Sequence, residues 1–150
     1  MDNSVGFDEK ISLIRNQACF SGFNENETAM LSELFTEETY APGDVIVKQG
    51  ASVDKVYLIA SGTAEVRVVN HQVSEDYKVV ATLGPKQAIG LSETGFYSLS
   101  GIRTATVVAQ TEMVLLCLSV ARFHGFALSN AHVAEVMRKF SGARISSNDF

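Results

Sequence analysis

Tryptophan is absent, and 150 residues contain only two prolines, two cysteines and three histidines. Each scarcity excludes something. His71, His124 and His132 are scattered, and Cys19 and Cys117 are far apart, so no metal centre is expected where three or four ligands must converge. The cysteines lie among apolar neighbours without a C-x-x-C pair. They read as free, buried thiols of a cytoplasmic protein in a reducing compartment. Basic residues are also short: 12 Lys and Arg against 17 Asp and Glu leave a net charge of −5, where a nucleic-acid binder shows a basic surplus. Long hydrophobic runs are missing as well. The longest, Met113–Leu118, has six residues, whereas a membrane helix needs about 20. Asp2, Asp8 and Glu9 occupy the place where a signal peptide carries basic charge. No phosphate-loop or G-x-S-x-G motif occurs.

Hydrophobic residues make up 46% and charged residues 19%, the balance of a globular chain. The length fits one domain, able to bury about 70% of its unfolded surface without a disulfide or metal. Charge is uneven, with −6 over residues 1–40, −1 over 41–118 and +2 over 119–150. These blocks read as solvated faces of terminal helices.

Three zones follow from the patterning. Residues 8–38 read as helical: Ile11, Leu13 and Ile14 form a short apolar face, and Asn24 with Glu27 makes a capping box ahead of Met30, Leu31, Leu34 and Phe35. Residues 39–118 read as strands. Gly43, Gly50 and Gly62 punctuate the β-branched runs Val45–Lys48, Val56–Ala60 and Thr63–Val69, and further strands are expected at Tyr77–Leu83, Arg103–Ala109 and Met113–Leu118. Ala64, Val66 and Val68 alternate with Glu65 and Arg67, which buries one face and wets the other. Short strands at this spacing without intervening helices predict an antiparallel sandwich or barrel. Residues 119–145 return to helix. Ser119 caps one, and Ser129 or Asn130 caps a second whose stripe is Val133, Val136, Met137 and Phe140. That stripe is expected to pack back on the barrel.

The segment richest in chemistry runs from Ala88 to Ala109. Gly90, Gly95 and Gly101, with small Ser92, Thr94, Ser98 and Ser100, make a loop whose backbone N–H groups are free to converge, and Arg103 closes it. Backbone donors plus one fixed guanidinium form an anion site for a phosphate. An arginine on an apolar strand demands a counter-charge, which is either such a guest or an internal carboxylate such as Glu93.

Tyr40-Ala-Pro-Gly-Asp-Val-Ile, Gln49-Gly50, Val56-Tyr-Leu-Ile59 and Ser61-Gly-Thr-Ala-Glu-Val66 resemble the opening strands of the cyclic-nucleotide-binding domain family. Arg103-Thr-Ala-Thr-Val107 resembles the end of its phosphate-binding cassette, and the likeness spans Phe20 to Phe140. The family includes the catabolite activator protein, kinase regulatory subunits and gated channels. The resemblance implies a mainly β fold with flanking helices, an eight-stranded antiparallel jelly-roll barrel with N-terminal helices and a C-terminal lid helix. It implies cGMP or cAMP as ligand, with no catalysis, metal or other cofactor. Arg103 would clamp the cyclic phosphate, with Gly90, Leu91 and Ser92 around it. Thr104 would favour a guanine, and Phe140 on the lid would cover the base. The family reads Gly-Glu at the cassette start, and here Leu91 follows Gly90. In a slipped frame Glu93, ten residues before Arg103, would be the carboxylate for the ribose hydroxyl that the resemblance implies.

Few residues follow Phe140, so no helix-turn-helix and no DNA binding are expected. The output would be a changed surface read by an unidentified effector protein, without membrane insertion, and homodimerisation is left open. Two rivals remain at this level. One is a degenerate module of the same fold that acts only through protein contacts. The other is a cupin-type enzyme, which the scarcity of histidine disfavours.

Overall fold

The computed structural model describes residues 5–70, 72–74, 76–92, 95–96 and 101–141. Helices α1 (Phe7–Arg15) and α2 (Glu25–Ser32) flank a 3-10 turn, Ala18–Phe20. Ten strands follow: β1 (Thr36–Tyr40), β2 (Val45–Val47), β3 (Lys55–Ser61), β4 (Ala64–Val69), β5 (Tyr77–Leu83), β6 (Ala88–Ile89), β7 (Leu91–Ser92), β8 (Gly95–Phe96), β9 (Thr106–Ala109) and β10 (Met113–Ser119). Helices α3 (Val120–Ser129) and α4 (Ala131–Ser141) complete the order.

Eight strands form two four-stranded antiparallel sheets, β1-β10-β3-β6 and β2-β9-β4-β5, and β7 pairs with β8 as a separate hairpin. This is the expected mainly β jelly roll with flanking helices. The first sheet is the middle layer. Tyr57 and Ile59 of β3, with Leu115 and Cys117 of β10, face the barrel interior. Val56 and Leu58, with Leu116 and Leu118, face the helices. Burial on both faces explains why these two strands read as unbroken apolar runs. The second sheet covers the barrel on one face only. There Ala64 and Val66 are buried, while Glu65 and Arg67 lie outside and the Arg67 guanidinium stacks 4.4 Å from the Tyr77 ring centre.

The helical layer is a dry aromatic cluster. Phe20 is fully buried, with ring centres 5.7 Å from both Phe23 and Phe123. Burial of a side chain this size contributes about 1.5–3 kcal/mol. The capping box at the start of α2 is present: Glu27 N–H donates to Asn24 Oδ1 at 2.8 Å and Asn24 N–H to Glu27 Oε1 at 2.9 Å. Ser119 caps α3 by accepting from Arg122 N–H.

Two expectations need correction. The N-terminal helical zone ends at Ser32, because Thr36–Tyr40 is strand β1, paired with β10. Its β-branched and aromatic residues at Thr36, Thr39 and Tyr40 favour the pleated partner over a further helical turn. The strand expected from Arg103 begins at Thr106, after an isolated bridge between Ser52 and Ile102. The α4 stripe packs on the 3-10 turn, α3 and β8, and Val133 and Val136 share one cluster with Phe20, Phe123 and the outward-facing barrel residues Val56, Leu58, Leu116 and Leu118, in keeping with the expected packing back on the barrel. Val133 and Val136 are buried there. Among the described residues no helix is long and apolar enough to cross a membrane, and Cys19 and Cys117 are free, buried thiols.

Candidate functional site

Arg103 stands where a short extended segment enters the barrel. Arg103, Ala105, Val107 and Ala109 are buried in alternation, while Thr104 is exposed and Thr106 half-buried. The period of two aims the Arg103 side chain to the barrel side. Its backbone is tied to the turn over residues 50–53. Arg103 N–H donates to Ala51 O at 2.8 Å, Gly50 N–H donates to Arg103 O at 2.9 Å, and Val53 N–H donates to Gly101 O at 2.7 Å. The side chain is only 8% exposed, and Nη2 donates to the carbonyl of Lys55.

Gly90 makes the seat for this guanidinium. Its φ is +88°, a conformation in which a side chain is strained, and a Cβ there would lie 3.0 Å from both Arg103 Nη1 and Val56 Cγ1. Backbone shape and open space thus both require glycine. Burial pulls the Arg103 pKa below its usual value, and Tyr57, Asp54 and Cys117 pull it back. A guanidinium nevertheless keeps its charge in a protein. A desolvated guanidinium with donors left over from its carbonyl bond has the chemistry to pair with an anion.

The structure brings Gly90 and Arg103 together and separates other expected site residues. Leu91 turns into the helical cluster with Phe20, Phe123 and Val133, and is 7% exposed. Strand β7 carries Ser92. Thr104 is exposed. Phe140 lies on α4, and its side chain falls outside the described residues, as does Glu93. The hairpin β7–β8 touches α4. Gly90 and Leu91, adjacent in sequence, therefore link the barrel site to the helical layer.

Three interior polar residues were not foreseen. Tyr57 is 6% exposed, and its neighbours include Arg103, Cys117, Glu38 and Tyr40. The Tyr40 hydroxyl donates to Glu38 Oε1 at 2.6 Å. Burial, with Cys117 and Glu38 nearby, pushes the Tyr57 phenol up to about 12. Burial, with Glu38, also raises Tyr40. Both therefore remain hydroxyls. The signal was present as Glu38 and Tyr40 at i and i+2, but only once the segment is known to be strand. Among the described residues no group of three or more His, Cys, Asp or Glu is placed to hold a metal.

With this geometry described, comparison with known proteins places the chain. Residues 37–130 match the family model described as cyclic nucleotide-binding domain. The chain belongs to the cyclic nucleotide-binding domain family, a family of regulatory domains. It is 26% identical over 116 residues to cGMP-dependent protein kinase, isozyme 2 forms cD5/T2, of Drosophila melanogaster, covering 76% of this chain and 12% of that protein. It is 28% identical over 115 residues to the cAMP-dependent protein kinase regulatory subunit of Dictyostelium discoideum, covering 73% and 32%. This chain thus spans a tenth to a third of these relatives. The crystal structure of the N-terminal domain of a transcriptional regulator from Streptomyces coelicolor A3(2) superposes with a TM-score of 0.74 at 24% identity, covering 87% of both chains. That likeness shows the fold.

Proposed function

We propose that this domain binds a cyclic nucleotide, cGMP or cAMP, and converts occupancy into a change of its helical layer that an effector protein reads. The observation that carries the reading is the buried Arg103 guanidinium, seated against Gly90 and aimed to the barrel side. A cyclic phosphate would supply an anion to pair with this desolvated cation. The family membership and the kinase relatives whose names carry cGMP or cAMP support the choice of guest. Contact between the cassette hairpin and α4 offers the route outward. A ligand shifts such an equilibrium only through unequal affinity for its states, and the hairpin is where that inequality would arise.

Titration calorimetry of the full chain with cAMP and with cGMP tests this. At least one should bind, and Arg103→Ala should weaken it by roughly 30- to 1,000-fold, the cost of leaving a charged ligand unpaired. Absence of binding by either nucleotide would return the domain to the second reading, a module of this fold acting through protein contacts alone. Unchanged affinity in Arg103→Ala would remove Arg103 from the site.

A further inference from the structure

Antiparallel partners exchange N–H and C=O bonds in pairs, and a strand end that outruns its partner leaves such a pair to be satisfied elsewhere. Strand β4 runs to Val69, but its register with β9 ends two residues earlier, at Arg67 and Thr106. Continued to Val69, that register would set it opposite Thr104. The half-buried side chain of Gln49 takes the place instead. Its Nε2 donates to Val69 O at 2.8 Å, and its Oε1 accepts from Val69 N–H at 2.9 Å. Both groups of Val69 therefore point away from its β5 partner, Tyr77, to the side of the sheet where β9 lies. A carboxamide offers a donor and an acceptor side by side, as a strand backbone does, so the Gln49 side chain stands in for the missing partner.

The Arg103 segment is bonded elsewhere. Arg103 N–H donates to Ala51 O, Gly50 N–H donates to Arg103 O, Val53 N–H donates to Gly101 O, and Ser52 bridges Ile102. Gln49 is also fixed at its backbone, where its N–H donates to Thr106 Oγ1 at 2.9 Å. Residues 49–53 thus meet β4 through the Gln49 side chain and the Arg103 segment through the main chain. Ahead of Thr106 the chain leaves the line of β4 and follows residues 50–53, which lead to Lys55 at the start of β3. There the guanidinium meets the Lys55 carbonyl and Gly90.

We infer that Gln49 is a positioning residue for Arg103: its carboxamide wedges β4 apart from the segment that enters β9, and so commits the Arg103 backbone to the turn over residues 50–53. Its role runs through that backbone, and the anion site itself remains Arg103 and Gly90. The assignment takes its purpose from the nucleotide reading above, while the wedge needs no nucleotide. A residue that merely closed the end of β4 would make the same two bonds to Val69, so the test reads Arg103.

The test uses the full chain. Backbone hydrogen exchange at Val69 and Arg103 is followed by NMR without nucleotide, and affinity for cAMP and cGMP is measured by calorimetry. Gln49→Met keeps the length of the side chain and removes both bonds. It should quicken exchange at Val69 and at Arg103 by about 5-fold or more, the loss of roughly one ordered bond, and weaken nucleotide binding by about 5-fold. Tyr77→Ala loosens the same end of β4 from the outer face, where Tyr77 stacks with Arg67. It should leave Arg103 exchange and affinity within about 2-fold of wild type, as expected of an independent site. If Gln49→Met does not fold, Thr106→Val removes the acceptor of the Gln49 N–H and should quicken Arg103 exchange by about 2-fold or more. Faster exchange at Val69 with Arg103 unchanged would make Gln49 a strand cap only, and an equal response to Tyr77→Ala would make the effect a general loosening of the hairpin. Either result overturns the assignment. Calorimetry keeps the two readings apart. A chain that binds neither nucleotide but shows the Arg103 response keeps the wedge and loses the nucleotide reading. A chain that binds nucleotide, with wild-type affinity in Gln49→Met or without the Arg103 response, loses only the positioning role.

Discussion

The cluster around Phe20 and the barrel interior around Tyr57 are both buried, yet they handle polar groups in opposite ways. In the helical layer the buried polar side chains close local backbone bonds. Glu27 completes the α2 cap, Thr28 Oγ1 donates to Asn24 O, and Ser32 Oγ donates to Ala29 O. In the barrel, Arg103 is a buried cation whose guanidinium is bonded to the Lys55 carbonyl and has the Tyr57 phenol nearby. Replacing such a charge by a well-packed apolar group often costs nothing or stabilises, so its presence is read as function. The helical layer is built to hold, and under the proposed function the barrel is built to receive.

That contrast breaks in measurable ways. The largest effect is expected from Phe20→Ala, which empties the centre of the helical cluster. It should cost about 3–5 kcal/mol in urea unfolding, while the folded fraction keeps wild-type nucleotide affinity. A loss of affinity in the folded protein would mean that the two regions are not separable. Arg103→Met should do the reverse. Affinity should fall by about 2–4 kcal/mol, and unfolding stability should hold or rise. A stability loss above about 3 kcal/mol would make Arg103 a structural keystone instead.

Gly90→Ala touches both regions. Left-handed strain should cost about 1–2 kcal/mol of stability, and the added methyl, 3.0 Å from Arg103 Nη1, should weaken nucleotide binding. Wild-type affinity in this variant would show that the seat is not needed. The smallest effect is expected at His132, whose Nδ1 lies 2.8 Å from Glu27 and ties α4 to α2. His132→Ala should cost only about 0.5–1 kcal/mol, because the pair is half in water. Hydrogen exchange at the start of α4 should quicken, with the barrel unaffected.

Where local rules decided the structure, the sequence was legible. Strand β5 appears between the expected ends, Tyr77 and Leu83, and the Asn24–Glu27 box forms as its spacing requires. Gly90 and Arg103 are thirteen residues apart, and the structure brings them together. The unread parts depend on pairing. Thr36–Tyr40 carries two adjacent glutamates, and only its register with β10 shows that Glu38 faces inward. Leu91 was open between ligand contact and core, and the turn at Gly90 sends it to the helical cluster. The Tyr57–Tyr40–Glu38 grouping joins two strands that are not neighbours in the sheet, so no local pattern announces it.

Under the proposed function the barrel senses and the helical layer reports. Hydrogen exchange over residues 131–141, measured with and without saturating cGMP or cAMP, tests that directly. Helix α4 is three turns long and depends on its packing partners. A nucleotide held by Arg103 that draws in the cassette hairpin should slow exchange in α4 by several-fold, and the response should vanish in Arg103→Met. Calorimetric binding with no change in α4 exchange would contradict the account and move the output to another surface.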